Sequence, residues 1–274
     1  MSKKVRLDTL LVDRGLIETR EKAKRTIMAG LVFSEGTRLD KPGVKVSEDI
    51  VLNVKGKAIP YVGRGGLKLE KALQHFQLDI TGKTMMDVGS STGGFTDCAL
   101  QHGAQKSYAI DVGYNQLDWK LRTDERVIVM ERTNFRYVTP DMLTEGLPNF
   151  VSVDVSFISL KLILPVITKV TQSGTDVVTL IKPQFEAGRE SVGKKGIVRD
   201  AKVHKQVLAE IITFANNLGY VLKGLTFSPI TGGDGNIEFL AHFYWNQAKK
   251  EGNPINNVEI DCVVDKAHET HNQA

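Results

Sequence analysis

At 274 residues, 41% hydrophobic and 25% charged, the chain is long enough for one large domain or two smaller ones with buried cores. No apolar run reaches bilayer length, Asp8 and Asp13 interrupt the basic N-terminal stretch where an export signal would need unbroken apolar residues, and Cys98 and Cys262 make neither a disulfide framework nor a zinc cluster, so the reading is a soluble cytoplasmic protein. A formal net charge of +4 is compatible with a nucleic-acid partner and does not identify one.

Residues 1–59 read as a compact basic module. Lys3, Lys4, Arg6, Arg14, Arg20, Lys22, Lys24 and Arg25 outnumber Asp8, Asp13, Glu18 and Glu21. Leu7, Leu10 and Leu11 suit a short amphipathic helix that ends at Gly15. Thr19 is placed to cap a second helix, with Ala23, Ile27 and Met28 on its buried side and Gly30 at its end. Residues 31–33 and 49–54 follow as short strands, with turns at Gly36 and Pro42-Gly43. Charge alone favours no more than a solvated helical face.

Pro60, Gly63, Gly65 and Gly66 make residues 60–66 a candidate linker. From residue 67 to 246 apolar strand-like runs at 84–88, 107–112, 126–130, 150–153 and 175–181 alternate with helical ones. That alternation predicts an α/β fold with a parallel sheet covered by helices. Residues 220–227 and 237–245 lack a crossover helix between them and should form an antiparallel pair at the sheet edge. Residues 247–274 are mostly polar and read as a loosely packed tail.

The first strand runs into Asp87-Val88-Gly89-Ser90-Ser91-Thr92-Gly93-Gly94-Phe95. A glycine loop between strand and helix lets backbone approach a ligand. The glycines fall as G-x-x-x-G-G, which departs from the dinucleotide fingerprint and suits a methyltransferase cofactor loop, with Asp87 near the cofactor's amino-acid moiety. Asp111 closes the second strand, where a carboxylate can accept from ribose hydroxyls. Thr81-Gly82-Lys83-Thr84 looks like the end of a P-loop, but Gln77 stands where the first glycine belongs and the tetrapeptide precedes its strand, so it reads as a turn.

Four charged residues fall at strand ends or beside them: Lys68 after Arg64-Gly65-Gly66, Asp154 after residues 151–153, Lys182 after residues 180–181, and Glu238 after residues 232–236. Open α/β sheets bind ligands at the carboxyl ends of their strands, so Asp154 and Lys182 can converge there. A lone charge at a strand end is usually just solvated. A set of lysines and carboxylates is chemically more specific, because a hydroxyl is a poor nucleophile until it is positioned in line and loses its proton.

The second domain resembles the FtsJ-like ribose 2′-O-methyltransferases. The whole chain resembles the TlyA family, in which such a domain follows an S4 RNA-binding domain. The resemblance lies in residues 61–69, 87–95, 154–160, 181–186 and 235–240, in order across nearly the entire chain. It implies a Rossmann-like class I methyltransferase sheet, mostly parallel with an antiparallel edge strand, preceded by a small α+β S4 domain. It also implies a catalytic set of Lys68, Asp154, Lys182 and Glu238, with Lys182 as the central proton acceptor or positioning group. S-adenosylmethionine is the implied cofactor, held by Asp87, Gly89, Ser90, Gly93, Gly94, Phe95, Asp111 and Asp154, with no metal. The implied substrate is a cytidine 2′-hydroxyl of 16S ribosomal RNA, of 23S ribosomal RNA or of both, within subunits or assembly intermediates. RNA contact is expected at Arg6, Arg14, Arg20, Lys24, Arg25 and Arg64, chiefly to phosphates. No membrane and no obligate protein partner is expected. Residues 187–200 form a loop beside the site that either closes on RNA through Lys194 and Lys195 or has no role.

Rival readings remain. A non-catalytic RNA-binding or ribosome-assembly factor would keep the fold without the reaction. A membrane-active hemolysin, a name some family members have carried, would need a spanning or strongly amphipathic segment that the sequence does not display.

Overall fold

The computed structural model describes residues 3–28, 30–54, 59–193, 195–232, 235–248 and 257–272, so Lys194, Gly233 and Asp234 lie outside the described residues. Two compact units divide it, Met1–Gly66 and Leu67–Ala274.

In the first unit β1 (Lys4–Arg6) runs into α1 (Leu7–Asp13), followed by α2 (Arg20–Met28), β2 (Val32–Ser34), β3 (Thr37–Arg38), β4 (Lys45–Ser47) and β5 (Asn53–Val54). β1 pairs with β4, and β2 lies between β3 and β5, all antiparallel. Leu7, Leu10, Leu11, Ala23, Ile27 and Val32 make the core. Gly15 takes the left-handed conformation just past α1, as its place in the sequence predicts. Thr19 caps α2, its Oγ1 accepting from the Lys22 N–H at 3.2 Å. Met28 does not join the core as expected; it is 53% exposed. One residue past Ile27 turns about 100° around the helix, which carries Met28 off the face that buries Ala23, Thr26 and Ile27. The Thr26 hydroxyl is satisfied by the Lys22 carbonyl at 2.8 Å.

The residues read as a linker are ordered by packing. Gly65 and Gly66 open α3 (Gly65–His75), and Tyr61 and Val62 are buried. A Cβ on Gly66 would fall 2.3 Å from the Tyr61 ring, so close approach rather than flexibility requires that glycine.

In the second unit β6 (Thr84–Val88), α4 (Gly94–Gln101), β7 (Lys106–Ile110), α5 (Trp119–Arg122), β8 (Val127–Met130), β9 (Phe150–Val153), α6 (Leu164–Val170), β10 (Thr175–Ile181), α7 (Pro183–Glu186), α8 (Ala201–Asn217), β11 (Tyr220–Phe227), β12 (Phe239–Trp245) and α9 (Asn257–Asn272) follow in order. The seven-stranded sheet runs β11-β12-β10-β9-β6-β7-β8. The strands from β10 to β8 are mutually parallel, and β12 is antiparallel to both β10 and β11. This is the mostly parallel sheet with an antiparallel edge that the alternation predicts. Its central strands are buried on both faces, with Val151, Val153, Val177, Ile181, Phe239 and Phe243 in one continuous core. Strand order reverses between β6 and β9, so a crevice opens beyond their carboxyl ends.

Two expectations for the second unit meet different fates. Gly82 is left-handed and Lys83 pairs with Asp176 at 2.7 Å, at the end of the sheet opposite the crevice; the P-loop look-alike is a turn. The expected loose tail, by contrast, contains a packed helix. Ile260, Val264 and Ala267 of α9 are buried in the main core, against α8 and β11. Lys205 of α8 adds ion pairs to Asp261 at 3.0 Å and Asp265 at 3.1 Å. A three-residue stripe at helical spacing is enough to dock a helix, and it vanishes in the average polarity of the segment. Among the described residues no helix is long and apolar enough to cross a membrane.

Candidate active site

The four charged residues singled out in the sequence meet at the carboxyl end of the sheet. Lys68, on the first turn of α3, sends Nζ between Glu238 Oε2 at 2.8 Å and Asp154 Oδ2 at 3.2 Å. Lys182, the residue after β10 and before Pro183, places Nζ 2.5 Å from Asp154 Oδ1 and donates to Ser156 Oγ at 3.1 Å. Asp154 therefore bridges both lysines. The cluster is nearly dry: Lys68 is 6% exposed and Glu238 2%. Burial pushes the Lys68 ammonium toward neutrality, but Asp154 and Glu238 outweigh it and hold its pKa above the usual lysine value. Burial likewise opposes ionisation of Asp154, and Lys68 and Lys182 overcome it, so that carboxylate stays below its ordinary range. Two cations and two anions balance, which is what lets the four charges share a desolvated site.

A cleft of about 420 Å³ lies beside the cluster. Gly89, Asp111, Thr133, Asn134, Asp154 and Ser156 contribute its polar lining, and Val88, Ile110, Phe135 and Ile163 are among its apolar walls. Asp111 follows β7, its Oδ2 accepting from the Ser91 N–H at 2.8 Å and its Oδ1 from the Gly113 N–H at 2.7 Å. Each oxygen keeps a second lone pair, so the carboxylate can still accept from ligand hydroxyls. Gly89 is left-handed, and a Cβ there would lie 2.5 Å from the Asp154 carbonyl oxygen, so only glycine lets β6 and β9 close together at the cleft floor. The size, the hydroxyl-accepting carboxylate and the apolar slot fit a nucleoside-bearing cofactor.

Other expected cofactor residues sit elsewhere. Ser90, Gly93, Gly94 and Phe95 do not line the cleft. Gly93 instead caps α4 and packs beneath Leu121. Asp87 is fully buried behind the loop, where Oδ2 accepts from the Thr96 hydroxyl at 2.8 Å and N–H at 3.1 Å, and Oδ1 from the Ser152 hydroxyl at 3.1 Å. Burial raises its pKa to about 7. In this geometry Asp87 anchors the first turn of α4 to the sheet rather than facing a ligand.

Several residues escaped the sequence reading. Thr133 and Asn134 follow β8 with no motif to mark them. Ser156 and Phe157 stand inside the segment that carries the resemblance, yet nothing in residue type marked them as functional. Phe157 is 91% exposed, with a left-handed φ of 63°. Its ring lies 5.0 Å from that of Phe185. A non-glycine residue in that conformation costs roughly 1 kcal/mol or more, a strain that clusters at functional sites.

In the first unit Arg6 and Arg20 converge on one buried carboxylate. Asp8 accepts from Arg6 Nε at 3.0 Å and Nη2 at 2.9 Å, and from Arg20 Nε at 3.0 Å. Those hydrogen bonds, led by that from Arg6, hold Asp8 far below the usual carboxylate range. Arg14 donates to the carbonyls of Ile50 and Glu48, and Lys24 pairs with Glu21 at 2.7 Å. Arg25 lies on α2, and Arg64 is half-buried just before α3.

Residues 61–245 match the FtsJ-like methyltransferase family and residues 5–51 the S4 domain. A Bacillus subtilis protein named "Putative rRNA methyltransferase YqxC" is 64% identical over 98% of this chain and 96% of its own length. The Mycobacterium tuberculosis protein named 16S/23S rRNA (cytidine-2'-O)-methyltransferase TlyA is 40% identical over 89% of this chain and 90% of its own. A solved structure described as "Putative hemolysin from Streptococcus thermophilus" superposes with a TM-score of 0.80 at 52% identity, covering 100% of this chain and 98% of that one. The chain belongs to the TlyA family of FtsJ-like methyltransferases, in which the methyltransferase domain follows an S4 domain.

Proposed function

We propose that this chain methylates the ribose 2′-hydroxyl of a cytidine in 16S or 23S ribosomal RNA, in the cytoplasm, on ribosomal subunits or assembly intermediates. The observation that carries the reading is the Lys68–Asp154–Lys182–Glu238 cluster at the rim of a nucleoside-sized cleft. S-adenosylmethionine, when bound, supplies an electrophilic methyl group on a sulfonium, a leaving group that needs no Lewis acid. Asp111 and the Thr133–Asn134 corner are the groups to hold its nucleoside half.

Lys182 is the residue to hold the 2′-hydroxyl in place and, once its own ammonium has released a proton to solvent, to take the hydroxyl proton. With the cofactor bound, its sulfonium would supply the methyl carbon and take the electron pair of the carbon–sulfur bond, while the residues of the cluster hold the hydroxyl oxygen in line. Asp154 orients Lys182, and Ser156 fixes its second hydrogen bond. Lys68 is held by two carboxylates and serves as the fixed counter-charge that keeps Asp154 ionised and Glu238 in place. Phe157 offers an exposed aromatic face on which an unstacked base can rest. The guanidinium groups of Arg6 and Arg20, set at a fixed spacing by Asp8, suit phosphate contact by the S4 domain.

The test is methylation of ribosomal subunits from cells lacking this chain, followed by nucleoside analysis. The expected product is 2′-O-methylcytidine in one or both subunits. RNA binding without methyl transfer would favour the assembly-factor reading.

A further inference from the structure

The 187–200 loop carries Arg189, Lys195 and Arg199, and one buried side chain ties its end to the active site. Asn236 is 4% exposed. Its Oδ1 accepts from the Val198 N–H at 3.1 Å and its Nδ2 donates to the Gly196 carbonyl at 3.0 Å. Two residues later in the same segment, Glu238 holds Lys68. One short stretch of chain thus grips the loop on one side and the charged cluster on the other.

The loop is gripped again from behind. His204 of α8 is wholly buried; its Nε2 lies 3.1 Å from the Val198 carbonyl and its Nδ1 3.0 Å from His268 Nε2 of α9. A carbonyl can only accept, so His204 Nε2 carries the proton. Burial, with His268 nearby, lowers the His204 pKa to about 4, so near neutral pH its Nδ1 is an acceptor. His268 must then donate through Nε2. The direction of the chain is fixed: His268 donates to His204, which donates to Val198, whose own N–H donates to Asn236. A second link runs in parallel. His271 Nε2 lies 3.0 Å from the Ser228 carbonyl, so it too donates, and the Ser228 N–H donates to the Glu238 carbonyl at 2.8 Å.

We infer that His268 and Asn236 are positioning residues for methyl transfer, through which helix α9 fixes the 196–198 segment and, with it, the residues that lead into Glu238 and its contact with Lys68. The inference rests on the function proposed above. It assigns α9 a part in the reaction beyond filling the core, because its two donors lead, through His204 and through Ser228, to the Val198 and Glu238 main-chain carbonyls rather than to surface groups.

Two substitutions in the full-length chain separate position from packing. His268→Gln keeps an N–H donor near the place of Nε2, whereas His268→Phe keeps the ring volume without the donor. With ribosomal subunits as substrate, His268→Phe should lower kcat by at least about 10-fold, since displacement by 1 Å is enough to cost that much. His268→Gln should stay within about 3-fold of the parent, and Asn236→Ala should behave like His268→Phe. S-adenosylmethionine affinity, measured by direct binding, should be unchanged in all three, and amide exchange at residues 196–198 should rise in His268→Phe. Parent-like kcat in His268→Phe, whatever its melting temperature, overturns the inference and leaves α9 a structural helix. Equal losses in His268→Gln and His268→Phe overturn it too, because the donor would then be irrelevant. Absence of methyl transfer by the parent chain sinks the proposed function itself, a result distinct from either.

Discussion

Gly232 and Glu238 indicate how little room the charged cluster leaves. A Cβ on Gly232 would fall 2.2 Å from Glu238 Oε1 and 2.7 Å from its Cδ. Gly232→Ala must therefore push the carboxylate away from Lys68. We expect kcat to fall by about 10-fold or more with S-adenosylmethionine affinity retained, a split that steady-state kinetics and direct binding resolve. Lys68→Ala goes further, because it takes the ammonium from Glu238 in a dry site and leaves Asp154 with Lys182 alone; loss of one partner from a buried pair costs about 3–5 kcal/mol, readable as a drop in the urea midpoint. Asp87 gives a pH signature. Its folded pKa, near 7, lies above the unfolded value, so the folded chain binds more protons between the two, and stability falls as pH rises toward 7 and then levels off. Asp87→Asn can keep its partners on Thr96 and Ser152, and should remove that slope, a difference of up to about 4 kcal/mol across the range. At this scale the sequence disclosed Lys68, Asp154, Lys182 and Glu238 because charge at a strand end is conspicuous. Asp87 was as conspicuous and was placed at the ligand, because sequence cannot tell a carboxylate facing a cleft from one facing the sheet behind it.

Among the elements, the loop after β7 and helix α9 were the least legible. Glu131, just past β8, accepts from the backbone N–H groups of Asn115, Gln116 and Leu117 at 2.9, 3.0 and 3.3 Å, and from Arg122 Nη2 at 2.7 Å. Arg122 foremost, with those N–H groups, lowers the Glu131 pKa to about 2. Its stabilisation is therefore present above the usual carboxylate value and lost as pH falls toward 2. Gln116 on the held loop lines the cleft, so Glu131→Gln should weaken S-adenosylmethionine binding by roughly 10-fold while leaving kcat at saturation nearly unchanged. No local pattern announces such a residue, since its partners are backbone groups far along the chain. Helix α9 was hidden differently. Its apolar positions Ile260, Val264 and Ala267 are sparse among charges, and their value comes from the groove between α8 and β11. Ile260→Ala should cost about 2–4 kcal/mol in urea unfolding if the helix is docked as described. The strands of the sheet were easier, because five apolar runs with helical spacers have few other ways to fold.

Across the whole molecule, the order of domains and the parallel sheet with its antiparallel edge followed from the alternation of patterns and from motifs spaced over the full length. The charge distribution was less transparent. Asp8 counts against the basic excess in the sequence, yet in the structure it sets the spacing of Arg6 and Arg20. Arg6→Ala with Arg20→Ala should weaken RNA binding and make the slope of affinity against salt shallower by about 1 for each phosphate that is no longer neutralised. Whether the buried cluster performs transfer to a ribose hydroxyl is decided by single-turnover transfer from labelled S-adenosylmethionine to unmodified ribosomal subunits by the parent chain and by Lys182→Ala. Labelled 2′-O-methylcytidine is expected with the parent, and a loss of about 100-fold or more in rate with Lys182→Ala at unchanged cofactor and RNA affinity. Transfer by Lys182→Ala at the parent rate would contradict that function of the cluster.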